Sequence, residues 1–440
     1  MRIHLKTLGC RLNEAEMETW SRDFQARGHR MTQQVEEADL LVVNTCAVTE
    51  EAVRKSRKLL SRSNRLNPHA RLVVSGCYAS LNPDSTAEIE GVDLVVNNRD
   101  KERLVEIVSE KLDLSIMPQS AIEGDATGLL SRGRQRAFIK VQDGCRYRCT
   151  FCIVTLARGD EQSRPAEEII AEINHLQTQG IQEAVLTGVH IGGYGSDIDS
   201  SISDLIRRIL RETEIPRLRI GSIEPWDIPG DFWSLFDNPR FMPHLHLPLQ
   251  SGSDSVLRRM ARRCRSDEYR QLVKRAREQV PDINITTDII VGFPGESEEE
   301  WQQTLEFVEE TGFGDLHIFA YSPRQGTKAA SLPGALSREV KRQRSQALHR
   351  LAEQLKLQTL RPYLGRTLPV LIEAGDESGW GGYTPNYLRI MAKGPAGIDL
   401  KNRIVDVLIS EIDAERQLQG RVHSIESTHH PCNQATEKQV

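Results

Sequence analysis

Over its 440 residues the chain has no apolar run approaching the about 20 residues that cross a bilayer as a helix. Its first residues, Met1-Arg2-Ile3-His4-Leu5-Lys6-Thr7, lack the apolar stretch of a secretory signal. Both absences predict a cytoplasmic protein with no membrane attachment. Thiols stay reduced in that compartment, so the 8 cysteines point to metal or catalysis before disulfides. A large charge imbalance is missing as well: 57 Lys and Arg against 62 Asp and Glu give −5, which argues against nucleic acid if the charge is evenly spread. No His/Asp set for acid–base catalysis stands out.

What is present centres on Cys145-Arg146-Tyr147-Arg148-Cys149-Thr150-Phe151-Cys152. Its three cysteines, four and then three residues apart, follow a strand-like run, Phe138–Gln142, and the turn pair Asp143-Gly144. Such a loop can wrap three thiolates around one iron–sulfur cube. Four-cysteine ligation is usual for [4Fe–4S] clusters, and no fourth cysteine follows nearby, so one iron is left open to a small molecule. The alternative is zinc or a purely structural role, although zinc cysteines more often come as two CxxC pairs.

Residues 1–112 alternate strand and helix patterns. Ile3–Leu8 reads as a strand, and Asn13–Gly28 as a helix with Asn13 as N-cap, Glu16 closing a capping box and Gly28 as stop. Leu40–Val43, Leu72–Val74 and Leu94–Val96 are short apolar runs typical of strands buried on both faces, with a helix over Glu50–Arg65 between two of them. This predicts an open parallel α/β sheet. Cys10, Cys46 and Cys77 each follow a strand, and parallel strands put their C-terminal ends on one edge, where ligands bind in open α/β sheets. The spacing predicts that these thiols converge as a second three-thiolate site; the bland alternative is three small buried hydrophobes.

Residues 113–134 dissolve into Ser, Gly, Pro and charge and read as a linker. Residues 135–361 restart the alternation. Strands are expected over Ala137–Gln142, Glu183–Val189, Arg217–Ile223, His244–Leu249, Asn284–Val291 and Asp315–Tyr321; helices over Pro165–Gly180, Ile202–Thr213, Asp254–Val280 and Ser297–Gly312. Six such units are fewer than the eight of a closed barrel, so an open, partial (β/α)6 barrel is expected, with its site in loops after the strands. A long helix, Ser337–Leu360, leads to residues 362–428. Their strands Thr367–Glu373, Tyr387–Lys393, Asn402–Ser410 and Gln419–Ile425, with turns at Gly375, Gly379–Gly382 and Gly394–Gly397, suggest a small OB-like β-barrel. Trp380, Tyr383, Tyr387, Arg389 and Lys393 would suit RNA if exposed. Residues 429–440 read as a disordered tail, and Cys264 and Cys432 as free thiols.

Charge is clustered. Arg54–Arg71 carries Arg54, Lys55, Arg57, Lys58, Arg62, Arg65 and Arg71 with no acid between them; Arg258–Arg277 and Arg338–Arg361 are two more basic runs. Each alone reads as a solvated helix face. Together they suggest a phosphate-contacting surface.

These residues resemble a known family. Cys145-x-x-x-Cys149-x-x-Cys152, with Phe151 before the last cysteine, looks like the radical S-adenosylmethionine signature. Thr7-Leu8-Gly9-Cys10-Arg11-Leu12-Asn13, Asn44-Thr45-Cys46 and Ser75-Gly76-Cys77-Tyr78 resemble the N-terminal domain of the methylthiotransferases, and the terminal module resembles their TRAM domain. Within the family, Thr7–Cys10, Thr187–His190, Gln250–Asp254 and Tyr383–Tyr387 are similar to the branch that modifies threonylcarbamoyladenosine in tRNA.

The resemblance implies that Cys145, Cys149 and Cys152 ligate a [4Fe–4S] cluster whose open iron binds S-adenosylmethionine and cleaves it to a 5′-deoxyadenosyl radical. It implies that Cys10, Cys46 and Cys77 hold an auxiliary [4Fe–4S] cluster that presents the sulfur. The expected product carries a methylthio group on carbon 2 of N6-threonylcarbamoyladenosine-37. The expected partners are the tRNA anticodon stem-loop and a one-electron reductant of flavodoxin or ferredoxin type, acting on a monomer. Glu224 and Gln250, after the third and fourth barrel strands, are candidates to touch S-adenosylmethionine; the Gly192-Gly193 pair could admit it closely. His190 and His246 are expected to be structural. Arg146, Thr155-Leu156 and Pro248 depart from the family's usual residues, and none of them removes a ligand. Rival readings are isopentenyladenosine in tRNA, a ribosomal-protein aspartate, or a non-catalytic RNA-binding metalloprotein.

Overall fold

A computed structural model describes residues 1–114, 135–376 and 378–425. The short apolar runs of the N-terminal part become strands covered on both faces. β1 (Arg2–Thr7), β2 (Arg30–Met31), β3 (Leu40–Thr45), β4 (Arg71–Gly76) and β5 (Val92–Val95) lie in the order β2-β1-β3-β4-β5. Every pairing is parallel. Helices α1 (Arg11–Ala26), α2 (Glu50–Leu66), α3 (Cys77–Leu81), α4 (Pro83–Ala87) and α5 (Leu104–Lys111) connect or cover the strands.

One expected cap is overturned. α1 starts at Arg11 with Cys10 as its N-cap residue, so Asn13 lies inside the first turn and Glu16 closes no capping box. Both side chains are claimed by a buried charge cluster, which outweighs a local cap. Most of the expected linker lies outside the described residues; Leu114, at its start, is buried against the N-terminal core. Residues 426–440, including Cys432 and the expected tail, also lie outside them.

The next six principal strands are β6 (Arg136–Lys140), β9 (Glu183–Thr187), β10 (Arg217–Ile220), β11 (His244–His246), β12 (Asn284–Val291) and β13 (Asp315–Ala320), with a short hairpin of β7 (Gln142–Asp143) and β8 (Gln162–Ser163). They pair in two parallel sheets, β6-β9-β10 and β11-β12-β13, joined by the parallel bridges Leu218↔Phe241 and Ser222↔His246. The result is the expected open partial barrel. Its helices are α6 (Val154–Arg158), α7 (Ala166–Thr178), α8 (Ile202–Glu212), α9 (Asp254–Arg259), α10 (Ser266–Gln279), α11 (Glu298–Thr311) and α12 (Arg338–Leu360). The single helix expected over Asp254–Val280 is two, because the chain turns at Ala261 with φ 57° and sends Arg262 inward.

The C-terminal strands β14 (Thr367–Asp376), β15 (Gly379–Tyr383), β16 (Arg389–Lys393), β17 (Ile404–Ile412) and β18 (Leu418–Ser424) close a barrel in the order β14-β15-β16-β18-β17. The Gly379–Gly382 turn expected from the sequence is strand β15, where the missing side chain of Gly382 lets Leu371 O approach. Trp380 is accordingly a core residue, 5% exposed, and not an RNA contact.

This barrel caps the N-terminal ends of the central strands. Arg217 donates to Tyr383 O and Pro369 O at 3.0 and 2.9 Å, and Asn284 donates to Asn386 O at 3.0 Å. Arg217 and Arg219 share the fully buried Glu183, whose carboxyl is pushed up by burial but held down to about 2 by Arg219, Arg136 and Arg217. No helix among the described residues is long and apolar enough to cross a membrane.

Candidate active site

Adjacent strands β1, β3 and β4 deliver Cys10, Cys46 and Cys77 to the C-terminal edge of the first sheet. Two glycines make the approach possible. A Cβ on Gly9, at φ 112°, would meet Cys46 Cβ and Sγ at 2.9 Å; one on Gly76, at φ 94°, would meet Thr45 O at 2.3 Å. Cys46 and Cys77 are buried and Cys10 is exposed. Although Cys10 keeps solvent contact, the protein packed around its sulfur pushes that thiol up, against the pull of Arg158, and burial pushes Cys46 up as well. The Cys77 sulfur raises the proton affinity of both Cys10 and Cys46, and surroundings that disfavour bare thiolates there suit a group that supplies compensating positive charge, as an iron–sulfur cube does.

The Cys145 loop is built differently. Its backbone is tied to its neighbours by Cys145 N to Gly159 O (3.1 Å), Thr150 N to Met260 O (3.0 Å) and Ala329 N to Thr150 O (2.8 Å). Burial pushes Cys145 up to about 12 and Cys152 up to about 11, and raises Cys149 against the charge of Arg262. Arg262 reaches Cys149 Sγ at 3.8 Å, lies 4.4 Å from the Trp226 ring and pairs with Glu224 at 2.6 Å. Tyr147 donates to Asp227 at 2.7 Å, and His190 is held between Asp227 (2.6 Å) and Glu161. Burial disfavours the His190 cation, yet Asp227 and Glu161 raise its pKa.

The basic-run reading missed Arg262. Its side chain is 2% exposed, beside the cysteines and not on the surface. Glu224 is already engaged by that arginine. Gln250, at φ 80°, is tied to β12 through its backbone, accepting from Ile290 N at 2.9 Å. Gly192 and Gly193 make room for protein instead of cofactor: a Cβ on them would meet Asp227 Cβ at 2.4 Å and His190 Nδ1 at 2.5 Å. Cys264 is buried in the turn between α9 and α10, and burial pushes its thiol up to about 12.

The two triads are physically joined. α3, which begins with Cys77, packs against α6, which follows Cys152. Asn98 donates to Ala157 O in α6 at 2.8 Å and approaches Cys77 Sγ at 3.9 Å. Arg158, the last residue of α6, donates to Asn13 Oδ1 at 2.7 Å and Glu16 at 2.8 Å; Asn13 in turn accepts from Cys10 Sγ at 3.7 Å. Lys101 and Lys140 complete the cluster around Glu16 and Asp143. Burial pushes both acids up, but these cations hold them well below the carboxylate range. Removing one member would leave an uncompensated buried charge at a cost of about 3–5 kcal/mol.

Cys10, Cys46 and Cys77 line a cavity of about 930 Å³ that runs into the partial barrel, past His244, His246 and Asp288 to Tyr387. Helix α6, which follows the Cys145 loop, contributes Val154 and Arg158 to its wall. His246 is bonded to Thr286 (2.9 Å) and Asp288 (3.1 Å) and lines the cavity.

Part of the first basic run faces outward unpaired, although its Arg54 and Lys55 pair with Glu51. Arg57, Lys58, Arg62 and Arg65 on α2 are exposed, with no acid partner among the described residues. In the other two runs, Arg259, Arg270 and Arg344 are paired with acids.

Comparison with known proteins gives two family matches: residues 2–97 to the model described as "Uncharacterized protein family UPF0004", and residues 139–308 to "Radical SAM superfamily". The threonylcarbamoyladenosine tRNA methylthiotransferase MtaB of Bacillus subtilis is 35% identical over 422 residues, covering 92% of this chain and 93% of that protein. The tRNA-2-methylthio-N(6)-dimethylallyladenosine synthase of Syntrophobacter fumaroxidans is 35% identical over 424 residues, covering 92% of each. In fold, the radical S-adenosylmethionine methyltransferase TsrM of Kitasatospora setae, solved with cobalamin and a [4Fe–4S] cluster, superposes with a TM-score of 0.57 over 75% of this chain and 77% of its own, at 17% identity.

Proposed function

We propose the following function from one premise, that this chain belongs to the radical S-adenosylmethionine tRNA methylthiotransferase family. The enzyme transfers a methylthio group to N6-threonylcarbamoyladenosine in tRNA. The acceptor atom is carbon 2 of the adenine, and the nucleoside is adenosine-37 of the anticodon stem-loop. The observation that carries this reading is that Asn98 and Arg158 tie α6, which follows the Cys145 loop, to the strand-end cysteines that line the cavity. At about 930 Å³ that cavity lies in the range of small-molecule sites, about 300–1,000 Å³, and admits a nucleoside.

Cys145, Cys149 and Cys152 hold one [4Fe–4S] cluster, and Cys10, Cys46 and Cys77 hold a second. When bound, these groups supply reductive cleavage of S-adenosylmethionine and a transferable sulfur, chemistry no side chain provides. The chain's own tasks are positional. Arg262 and Glu224 fix the surroundings of Cys149. Asn98, Asn13 and Arg158 set the strand-end cysteines against α6, so that both sites face one base. The barrel wall and the C-terminal cap exclude water that would quench a radical.

The exposed basic face of α2 takes tRNA phosphates, and the target base leaves its loop to enter the cavity. The working form is a cytoplasmic monomer with a one-electron reductant of flavodoxin or ferredoxin type. Its units are residues 1–112, 135–361 and 362–428. Mass analysis of nucleosides from cells lacking the protein tests the assignment. The 2-methylthio form of threonylcarbamoyladenosine should vanish while its precursor accumulates. Undiminished product, with no redundant enzyme present, would overturn it.

A further inference from the structure

Three guanidinium groups surround one ring at the barrel end of the cavity. Arg219, Arg136 and Arg11 lie 4.8, 5.2 and 5.6 Å from the centre of Tyr387. Two are neutralised: Arg219 pairs with Glu183 at 2.8 Å and Arg136 with Glu373 at 2.5 Å. Arg11 is different. It is exposed to the cavity, donates to Tyr387 Oη at 2.8 Å, lies 5.3 Å from the Phe138 ring, and has no carboxylate within ion-pair distance among the described residues.

The cavity wall also carries Glu14, Asp288 and Asp315; Asp288 is bonded to His246 and His317, at 3.1 Å each, and no carboxylate reaches Arg11 among the described residues. Burial, with Arg219, His246 and Arg11 nearby, holds the His244 imidazole well below its ordinary pKa, and so neutral. A guanidinium positioned by an aromatic ring and a phenol, with N–H groups left beyond the one bonded to Tyr387, is suited to a planar oxyanion.

We infer that Arg11 is the specificity-determining residue of this cavity, the cation that takes the carboxylate of the substrate's threonylcarbamoyl group. The inference rests on the proposed substrate and deepens it. Position fits chemistry. Arg11 directly follows Cys10, and on the adenine ring carbon 2 and the N6-bearing carbon flank a single nitrogen. A base that turns carbon 2 toward the strand-end cysteines therefore keeps its N6 substituent within reach of a long side chain anchored one residue away. A dimethylallyl group offers no anion to Arg11, and would leave the guanidinium unpaired in a half-enclosed site.

The anion could come from the N6 substituent or from the RNA backbone, and a neutral analogue separates the two. Full-length reconstituted protein, wild type, Arg11→Gln and Arg11→Lys, is given anticodon stem-loops bearing threonylcarbamoyladenosine, its methyl ester, or dimethylallyladenosine. Kd and kcat/KM are read for each. Wild type should favour the free acid over the ester by about 10- to 100-fold. Arg11→Gln should lose that preference by weakening on the acid, and Arg11→Lys should keep part of it. Equal weakening on acid and ester would assign Arg11 to a phosphate or to structure and overturn the inference, as would a variant that still prefers the acid. A wild type that modifies only the dimethylallyl stem-loop brings down the substrate reading itself, and this inference with it.

Discussion

The two three-cysteine regions carry the same number of sulfurs and are held by opposite means. Cys145, Cys149 and Cys152 share one loop, contiguous in sequence and pinned from outside by Gly159, Arg259, Met260 and Ala329. Cys10, Cys46 and Cys77 share nothing local. Parallel pairing of β1, β3 and β4 brings them together, and Arg158 and Asn98 reach across from or to the second domain to fix them. A contiguous loop keeps its ligand set as long as it is folded. An assembled edge keeps its set only while an interface stays docked, so the second region should be the more fragile.

The sharpest way to break the comparison is to remove one sulfur from each side. Cys149→Ala should abolish S-adenosylmethionine cleavage, while Cys10→Ala should still cleave it and fail to transfer sulfur. Each variant should lose about half of the bound iron after anaerobic reconstitution. Loss of cleavage in both would mean that the regions do not act independently. Zinc in place of iron in wild type would leave only a metalloprotein that binds RNA.

Next in size is the interface. Arg158→Met leaves Glu16 and Asp143 with two lysines where three cations stood, and should cost about 3–5 kcal/mol in denaturant unfolding of the metal-free chain. On reconstitution, iron should be lost from the strand-end site before the loop site. Adding Glu16→Gln should recover part of the stability, because one buried acid instead of two is then missing its bond to Arg158. A midpoint unchanged by Arg158→Met would show that the network does not hold the domains together.

These residues also mark how far the sequence was legible. The Cys145 loop reads directly because its chemistry is contiguous, and the strand-end cysteines read because parallel strands share an edge. The barrel, the N-terminal sheet and the closed C-terminal barrel follow from period and turns. Arg158, Asn98 and Lys101 were invisible, since each matters through a partner 59 or more residues distant or in another domain. Arg262 was misread as surface charge. A basic run shows composition, but only the left-handed turn at Ala261 shows which side chain goes inward. Glycine misled in β15, where it marks close strand packing around Trp380 and not a turn.

Arg262 gives a third, smaller test. Arg262→Lys keeps the charge and loses the fork that spans Glu224 and Cys149. Partners of this kind around metal ligands are worth about 10- to 100-fold in affinity or activity. The rate of S-adenosylmethionine cleavage should fall by that factor, with stem-loop affinity unmoved. A comparable fall in Arg158→Met, once its iron is matched to wild type, would erase the distinction between a local and an assembled site.

The smallest effects concern the outer faces of the same two domains. On α10, half-buried Arg270 and exposed Lys274 are matched by Asp267, Glu310 and Glu278. On α2, Lys58, Arg62 and Arg65 recur at three- and four-residue intervals along one exposed face and meet no acid among the described residues. Counterion release makes the difference measurable, because each phosphate contact adds roughly 0.7–0.9 to the slope of log affinity against log salt. Replacing these three α2 residues with Gln should weaken stem-loop binding and flatten that slope by about one such step per lost contact. The matched change on α10, Arg270→Gln with Lys274→Gln, should leave the slope where it was. If the two variants behave alike, α2 is only a solvated helix face, and the domain that holds the strand-end cysteines does not also hold the RNA.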